Sequence, residues 1–192
     1  MIPVFSPNIV QRRLLRIPAP QAAQVLQGMA NQDAQTLAVQ LQAIMLWAPS
    51  QMQRLRKIWQ WLPTHYEREM DGDNWQYTAD TLQFGGDCED WSVALCSHLR
   101  AASIDARIGI MPDHAAVFVP LSVGSKYVIN EGFQIRLNPE LIPDTWRTMT
   151  YEGRIWLPLE STLKPDERGF PGEGTADIRG WVRKGQLWIA AA

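Results

Sequence analysis

Apolar residues recur at helical intervals through the first half of the chain, in two segments separated by Pro49. The first segment, residues 21–47, predicts one or two helices, and the second runs from Ser50, a suitable N-cap, to Pro63. The apolar positions of the second helix are Met52, Leu55, Ile58, Trp59 and Leu62. Residues 1–20, which are rich in proline, are expected to form an irregular arm over the body of the protein.

The pattern changes after a third predicted helix, residues 88–102, which contains neither glycine nor proline. Short β-prone runs separated by turn residues follow it. These predicted strands cover residues 106–111, 115–120, 126–130 and 148–159, with a last strand near residues 186–190. Because helices come first and consecutive strands follow, the chain is expected to have an α+β fold rather than alternating βαβ units.

The composition is that of one soluble globular domain. The chain has 192 residues, of which 46% are hydrophobic and 20% charged, so it can bury a sizeable core. The net charge of −2 gives no reason to expect a nucleic-acid partner. The chain also lacks an apolar run of the roughly 18 to 20 residues that a membrane span needs, and its first residues lack a signal-peptide pattern. We therefore expect a cytoplasmic protein without a membrane partner, and the oligomeric state stays open.

The stretch GGDCEDW, residues 85–91, places a cysteine at the predicted start of the third helix. Asp87 is a good N-cap residue, so Cys88 would lie in the first turn, where the helix dipole favours a thiolate. Carboxylates near a thiol oppose its ionisation. Because successive helical residues are rotated by about 100°, Glu89 and Asp90 are expected to point away from Cys88 and to stabilise the helix start without touching the thiol.

A cysteine nucleophile also needs a base, and the chain offers three histidines. His98 follows Cys88 by ten residues on the same predicted helix, about 15 Å away by rise, and cannot reach it. His65 lies at a helix end, whereas His114 begins a predicted strand directly after a turn. His114 is therefore the best candidate base.

Cys96 is expected to be a buried small residue, and the spacing of the two cysteines on one helix rules out a disulfide between them.

Several of these segments resemble transglutaminase-like cysteine enzymes. The resemblance covers about residues 50–120 and depends on GDCED at residues 86–90, LRAASIDAR at residues 99–107 and the histidine that follows, His114. Ser103 departs from the family pattern, which usually has glycine there. The resemblance implies a papain-like fold, in which a nucleophile helix packs on an antiparallel sheet, and thiol chemistry of the acyl-transfer or amide-hydrolysis type.

In that family an acidic residue or an asparagine orients the histidine, and two positions here fit the role. The stretch WLPLEST, residues 156–162, is similar to the family's WxPLDPT sequence and offers Glu160. Asn130 instead follows His114 at the usual hairpin spacing. We place Glu160 first, because a carboxylate stabilises the imidazolium that forms when histidine takes the thiol proton. Asn130 stays the alternative. A second oxyanion donor upstream of the nucleophile could be Gln83 or Trp75.

The sequence thus predicts a single transglutaminase-like domain, with an N-terminal arm and helices at 1–48, a catalytic core at 50–163 and a C-terminal extension at 164–192. Its expected function is a cysteine peptidase or amidase, a hydrolase or acyltransferase of bacterial or phage origin, acting on a protein or peptide substrate. No cofactor or metal is expected, since a structural zinc site usually has CxxC-type spacing and four ligands. The alternative is a non-catalytic binding or assembly component of the same fold, for example in a phage or mobile-element particle.

Overall fold

The computed structural model describes residues 10–11, 17–40, 51–62, 74–112, 114–121, 147–163, 178 and 184–191. The helices within these ranges are α1 (Ala19–Gln40), α2 (Gln51–Trp61), α3 (Thr78–Phe84) and α4 (Cys88–Ala101). The strands are β1 (Val10–Gln11), β2 (Asn74–Trp75), β3 (Arg107–Met111), β4 (His114–Pro120), β5 (Met149–Tyr151), β6 (Arg154–Leu159) and β7 (Trp188–Ile189). The expected strand at 126–130 and the Ser50 cap lie outside the described residues.

Five of these strands form one antiparallel sheet with the order β5-β6-β4-β3-β7. β3 and β4 form a hairpin in which Met111 pairs with His114, and β4 also pairs with β6, with Val117 opposite Leu159. The central strand β4 is buried on both faces, so it is a nearly continuous apolar run. Helices precede an antiparallel sheet in the chain, and the predicted α+β class is confirmed.

The two faces of the sheet bury different clusters of side chains. The larger cluster packs α1, α2 and α4 against one face and includes Val117, Val119, Leu157 and Leu159. The smaller cluster lies on the other face. Its buried members are Met111, Ala116, Phe118, Met149, Trp156, Ile178 and Leu187. Alternate residues of β4 pack into opposite clusters. Packing on both faces of the sheet therefore fixes the position of β4, which begins at His114.

Helix α4 lies at the centre of the helical layer, and its C-terminal end is a Schellman motif. The N–H of Ile104 donates to the carbonyl of Leu99, and the N–H of Ser103 donates to that of Arg100. Ser103 has a φ of 62°, in the left-handed region that favours glycine. The departure from the family's glycine at this position therefore carries a modest conformational cost, while the hydrogen bonds of the motif are kept.

Two elements were not expected from the sequence. A two-stranded ladder joins β1 to β2, with Val10 opposite Trp75, although residues 1–20 had been expected to form an irregular arm. The short helix α3 comes directly before the turn that leads into α4, and it ends at Gly85, whose φ of 82° suits glycine. Both elements are too short to give a recognisable hydrophobic period. None of the described helices is long and apolar enough to cross a bilayer.

Candidate active site

The start of α4 is fixed by a complete capping box. The side chain of Asp87 accepts hydrogen bonds from the N–H groups of Glu89 and Asp90, while the side chain of Asp90 accepts one from the N–H of Asp87. The predicted N-cap at Asp87 and the position of Cys88 in the first turn are confirmed. The N–H of Cys88 takes no part in this cap, so it can donate to a group above the helix start.

The Asp90 carboxylate also ties the helix start to the segment before α3. It accepts a hydrogen bond from the backbone N–H of Gln76 at 2.7 Å and another from the Gln76 side chain at 3.3 Å. Gly86 lies so close that a Cβ atom there would be 2.7 Å from both Cβ and Oδ2 of Asp90. Gly86 is therefore needed for close approach rather than for an unusual backbone angle, and Asp90 holds the first turn of α4 in place.

The Cys88 thiol is buried and donates a hydrogen bond to its neighbour Glu89. The Sγ atom lies 2.8 Å from Oε2 of Glu89, and Cys88 is 8% exposed. The expectation that Glu89 would not touch the thiol was wrong. Backbone direction alone suggested a separation, but the glutamate side chain is long enough to fold back over the preceding residue. The thiol at the helix start is consequently held by a carboxylate in this structure.

This environment keeps Cys88 protonated. Burial, followed by the charge of Glu89 and the hydrogen bond to it, raises the pKa of the Cys88 thiol far above its ordinary value. The backbone N–H groups of Glu89 and Asp90 are used within the cap. The backbone N–H of Ala115 acts on the sulfur as a donor and opposes the increase in the pKa of Cys88. Ala115 is the second residue of β4. The sulfur of Cys88 therefore lies at the beginning of β4, next to the residue that follows His114.

The surroundings of Asp87 disfavour its charged form. Burial, followed by the charges of Glu89 and Asp90, raises the pKa of Asp87 to about 8. Asp87 therefore takes up a proton as the pH falls through this value, which limits the negative charge that accumulates around Cys88.

His114 and Glu160 form a hydrogen-bonded pair at the same end of the sheet. Nε2 of His114 lies 2.7 Å from Oε2 of Glu160, although the two residues are 46 positions apart in the chain. His114 begins β4, and Glu160 directly follows β6. Because Val117 pairs with Leu159, residue 160 comes level with Ala116, two residues from His114, which is the distance of a diagonal pair on neighbouring strands. Pairing of β4 with β6 thus brings Glu160 to His114.

Glu160 is ionised although it is largely buried. Burial alone would raise the pKa of Glu160, but the hydrogen bond and charge of His114, with two hydrogen bonds from Thr162, outweigh burial and lower the pKa. Thr162 donates to Oε1 through its hydroxyl at 2.6 Å and through its N–H at 3.1 Å. Thr162 had not been predicted as a site residue, although it ends the WLPLEST stretch that resembles the family's WxPLDPT sequence.

The charge on Glu160 fixes the tautomer of His114. An ionised carboxylate can only accept hydrogen bonds, so Nε2 of His114 must be the donor. A neutral His114 ring then carries its proton on Nε2 and its lone pair on Nδ1. The basic nitrogen of the ring is therefore Nδ1, while Glu160 would stabilise the ring if Nδ1 took up a second proton.

The other candidate residues fall in different places. Asn130, the alternative partner of His114, lies outside the described residues, as does His65. Gln83 is exposed near the end of α3, whereas Trp75 is buried in β2 at 3% exposure. His98 is buried at the other end of α4, where its Nδ1 hydrogen bonds to the carbonyl of Ala94 and burial lowers its pKa.

The two cysteines differ in their surroundings. Both thiols are free, and Cys96 is fully buried, with its Sγ 3.3 Å from the carbonyl oxygen of Ala106. Burial, the largest cause, raises the pKa of Cys96 to about 12. Cys96 is thus a buried packing residue, as expected, and it makes a matched control for Cys88.

Among the described residues, one group has the side-chain types and spacing that could hold a metal ion. The ligand atoms of Asp87, Cys88 and Glu89 lie within 4.8 Å of one another. Each already has a partner within the helix start, because Asp87 caps the helix and Glu89 accepts from Cys88. His114 is not a member of this group and is hydrogen-bonded to Glu160. These contacts account for the group without a metal.

Replacing Glu89 by glutamine is expected to make Cys88 more reactive. The substitution keeps the length of the side chain but removes the negative charge beside the sulfur, so the pKa of the thiol falls and more thiolate is present at a given pH. The rate of Cys88 alkylation by iodoacetamide at pH 7 should rise about tenfold, which corresponds to one unit of pKa. Site-resolved mass spectrometry of the alkylated protein measures this rate.

Glu152→Gln is the matched control for this substitution, because Glu152 lies in the exposed turn between β5 and β6. It removes the same charge without altering the helix start and should leave the alkylation rate of Cys88 unchanged. An alkylation rate of Glu89→Gln equal to that of Glu152→Gln would show that Glu89 does not hold the thiol protonated.

A model of the transglutaminase-like superfamily matches residues 39–136, about half of the chain. The protein therefore belongs to the transglutaminase-like superfamily, whose members are usually enzymes, and the resemblance noted in the sequence is confirmed. The matched range contains Cys88 and His114 but ends before Glu160. Comparison with curated protein sequences and with solved structures gave no match.

Proposed function

We propose that the protein is a thiol acyl-transfer enzyme that cleaves a carboxamide or peptide bond of a protein or peptide substrate. The observation that carries the proposal is the pairing of His114 with an ionised, largely buried Glu160, next to the strand residue whose N–H acts on Cys88. A buried carboxylate behind a histidine and a thiol at a helix start form the arrangement that activates a cysteine nucleophile. Membership of the superfamily supports the same reaction class.

The reaction begins when Nδ1 of His114 takes the proton of the Cys88 thiol. The thiolate attacks the carbonyl carbon of the substrate, and the carbonyl oxygen becomes an oxyanion. Collapse of this intermediate breaks the C–N bond, and His114 returns its proton to the departing amine. The acyl group stays on Sγ as a thioester until water or a second amine attacks it, with His114 again accepting a proton and passing it to the leaving thiolate. Glu160 stabilises the imidazolium in each half-reaction.

The thiol must leave Glu89 before this can occur. In the structure the proton of Sγ is directed at Glu89, and the thiol is un-ionised. Rotation of the Cys88 side chain between staggered rotamers would redirect Sγ without backbone movement, but it breaks the hydrogen bond to Glu89. A bound substrate that excludes Glu89 from the sulfur would favour the rotated form, so Glu89 would hold the enzyme in a resting state.

The oxyanion would be stabilised at the helix start. The N–H of Cys88 is not used by the Asp87 cap and belongs to the positive end of α4. Gln83, exposed near the end of α3, is our candidate for a second donor, since its amide can reach a ligand from solvent. Trp75 is the less suitable candidate because it is buried.

Trapping of the acyl-enzyme tests this function. The protein is incubated with a mixture of peptides that contain glutamine and asparagine carboxamides, quenched in acid, and analysed by mass spectrometry for acyl groups on Cys88. We expect adducts on the wild type and on Cys96→Ala, and none on Cys88→Ala. Uptake of ¹⁸O from labelled water into the product marks hydrolysis, and uptake of a labelled primary amine marks transamidation. Adducts that persist on Cys88→Ala would contradict the proposal.

A non-catalytic binding role is the second candidate function. The feature that favours it is the un-ionised thiol of Cys88, bonded to a carboxylate and shielded from solvent. A protein with this role would form no acyl adduct with any peptide, and His114 would have no influence on the reactivity of Cys88.

A further inference from the structure

A buried pair of hydroxyl groups connects the nucleophile helix to the residue that follows Glu160. Oγ of Ser92 on α4 and Oγ of Ser161 lie 3.0 Å apart, and both residues are completely buried. Neither serine can touch a substrate. The sequence patterns gave no reason to select either of them.

Ser92 lies one helical turn below the nucleophile. It follows Cys88 by four residues, so the two side chains differ by about 40° around the axis and about 6 Å along it. The pair completes a closed ring of contacts. From Cys88 the ring passes through the N–H of Ala115 to His114, from His114 to Glu160, and from Ser161 back to α4 at Ser92.

Hydrophobic packing alone would leave the position of α4 on the sheet less well specified. A pair of buried hydroxyls adds little to net stability, since replacing both partners by apolar groups can be nearly neutral. A hydrogen bond is directional, however, and holds two elements at one separation. Reaction rates are sensitive to displacements of about 1 Å at the reacting atoms.

We propose that Ser92 and Ser161 are positioning residues that set the distance between the Cys88 thiol and the His114–Glu160 pair. The inference rests on the proposed function, because a defined separation between these groups matters only if Cys88 and His114 exchange a proton. It goes beyond that function by assigning a role to two residues that lie outside the reacting groups.

The chain contains a matched control on the same helix. Ser97 is also completely buried, and its Oγ lies 2.7 Å from Oγ1 of Thr78. This second hydroxyl pair joins α4 to α3, whereas the first joins α4 to Ser161. Ser97→Ala therefore removes a buried hydroxyl from α4 without breaking the ring of contacts around Cys88.

The test compares alkylation of Cys88 by iodoacetamide, followed from pH 5 to pH 10, in wild type, Ser92→Ala, Ser97→Ala and His114→Ala, with melting temperatures for each. We expect Ser92→Ala to lower the rate of Cys88 alkylation at pH 7 about tenfold. The pH profile of Ser92→Ala should also shift from that of wild type toward that of His114→Ala. Ser97→Ala should stay within about twofold of wild type even at an equal loss of melting temperature. Ser161→Ala removes the other hydroxyl of the pair and should behave like Ser92→Ala. If Ser92→Ala does not fold, Ser161→Ala takes its place in the test.

The outcomes separate this inference from the proposed function. If His114→Ala lowers the rate but Ser92→Ala and Ser161→Ala change it no more than Ser97→Ala does, the hydroxyl pair is merely structural and the inference is overturned alone. If His114→Ala matches wild type at every pH, the proposed function fails and the inference fails with it. A loss in Ser92→Ala/Ser161→Ala no greater than in either single variant supports the inference, because both changes then break one interaction.

Discussion

Replacing His114 by alanine is expected to lower the catalytic rate by about 10²- to 10⁴-fold, the contribution of a well-placed general base. Without Nδ1 the thiol of Cys88 must lose its proton to water. Burial, followed by the charge of Glu89, raises the pKa of that thiol, so little thiolate is present at pH 7. The rate is measured as kcat/KM on the carboxamide identified by acyl trapping, and as the pH profile of Cys88 alkylation.

His98→Ala is the control for this variant. It removes the buried imidazole at the other end of α4, ten residues beyond Cys88, where the ring lies 5.9 Å from that of Trp61. We expect His98→Ala to lower the melting temperature and to leave kcat/KM within about twofold of wild type, because the ring of His98 is too far from the Cys88 thiol to exchange a proton with it. Equal losses in the two variants would mean that His114 acts through stability.

Replacing Glu160 by glutamine is expected to reduce kcat/KM by about 10²-fold or more, because it reverses the hydrogen bond to His114. Oε1 of Glu160 accepts two hydrogen bonds from Thr162. The carbonyl oxygen of a glutamine would keep that position, which turns its NH₂ group toward Nε2 of His114. Nε2 must then accept, the ring proton moves to Nδ1, and the proposed general base for Cys88 is lost.

Asn130→Ala is the natural comparison, since the sequence left Asn130 as the alternative partner of His114. If Glu160 orients the histidine, Asn130→Ala should keep kcat/KM near the wild-type value. The reverse result, with a large loss in Asn130→Ala and none in Glu160→Gln, would transfer the role to Asn130. Melting temperatures recorded for both variants identify any loss of kcat/KM that arises from unfolding.

The helix start at Cys88 could be predicted well because its interactions are local. A glycine pair, an N-cap aspartate and an aspartate three residues later specify a capping box within six consecutive residues. The same short range explains the Schellman end at Ser103. The error at Glu89 has the opposite origin. Backbone periodicity gives the direction in which a side chain leaves the helix, but the rotamer of a long side chain depends on what is packed above it.

The partner of His114 was ambiguous in sequence for a physical reason. Motif content favoured Glu160 and spacing favoured Asn130, because hairpin spacing assumes that the next strand in the chain is also the next strand in the sheet. In the sheet, β4 pairs with β6, and Glu160 at the end of β6 meets His114 across 46 positions. The contact depends on which strands pair, and strand pairing is not encoded in local periodicity.

The sequence by itself determined the α+β class, the superfamily, and the placement of Cys88 in the first turn of a capped helix. These follow from patterns within a few residues, where backbone propensity and capping decide the outcome. Tertiary structure alone decided that Glu89 holds the thiol, that Glu160 holds His114, and that Ser92 meets Ser161. Two of these three contacts join residues far apart in the chain, and all three depend on side-chain packing, which arises only when helices and sheet come together.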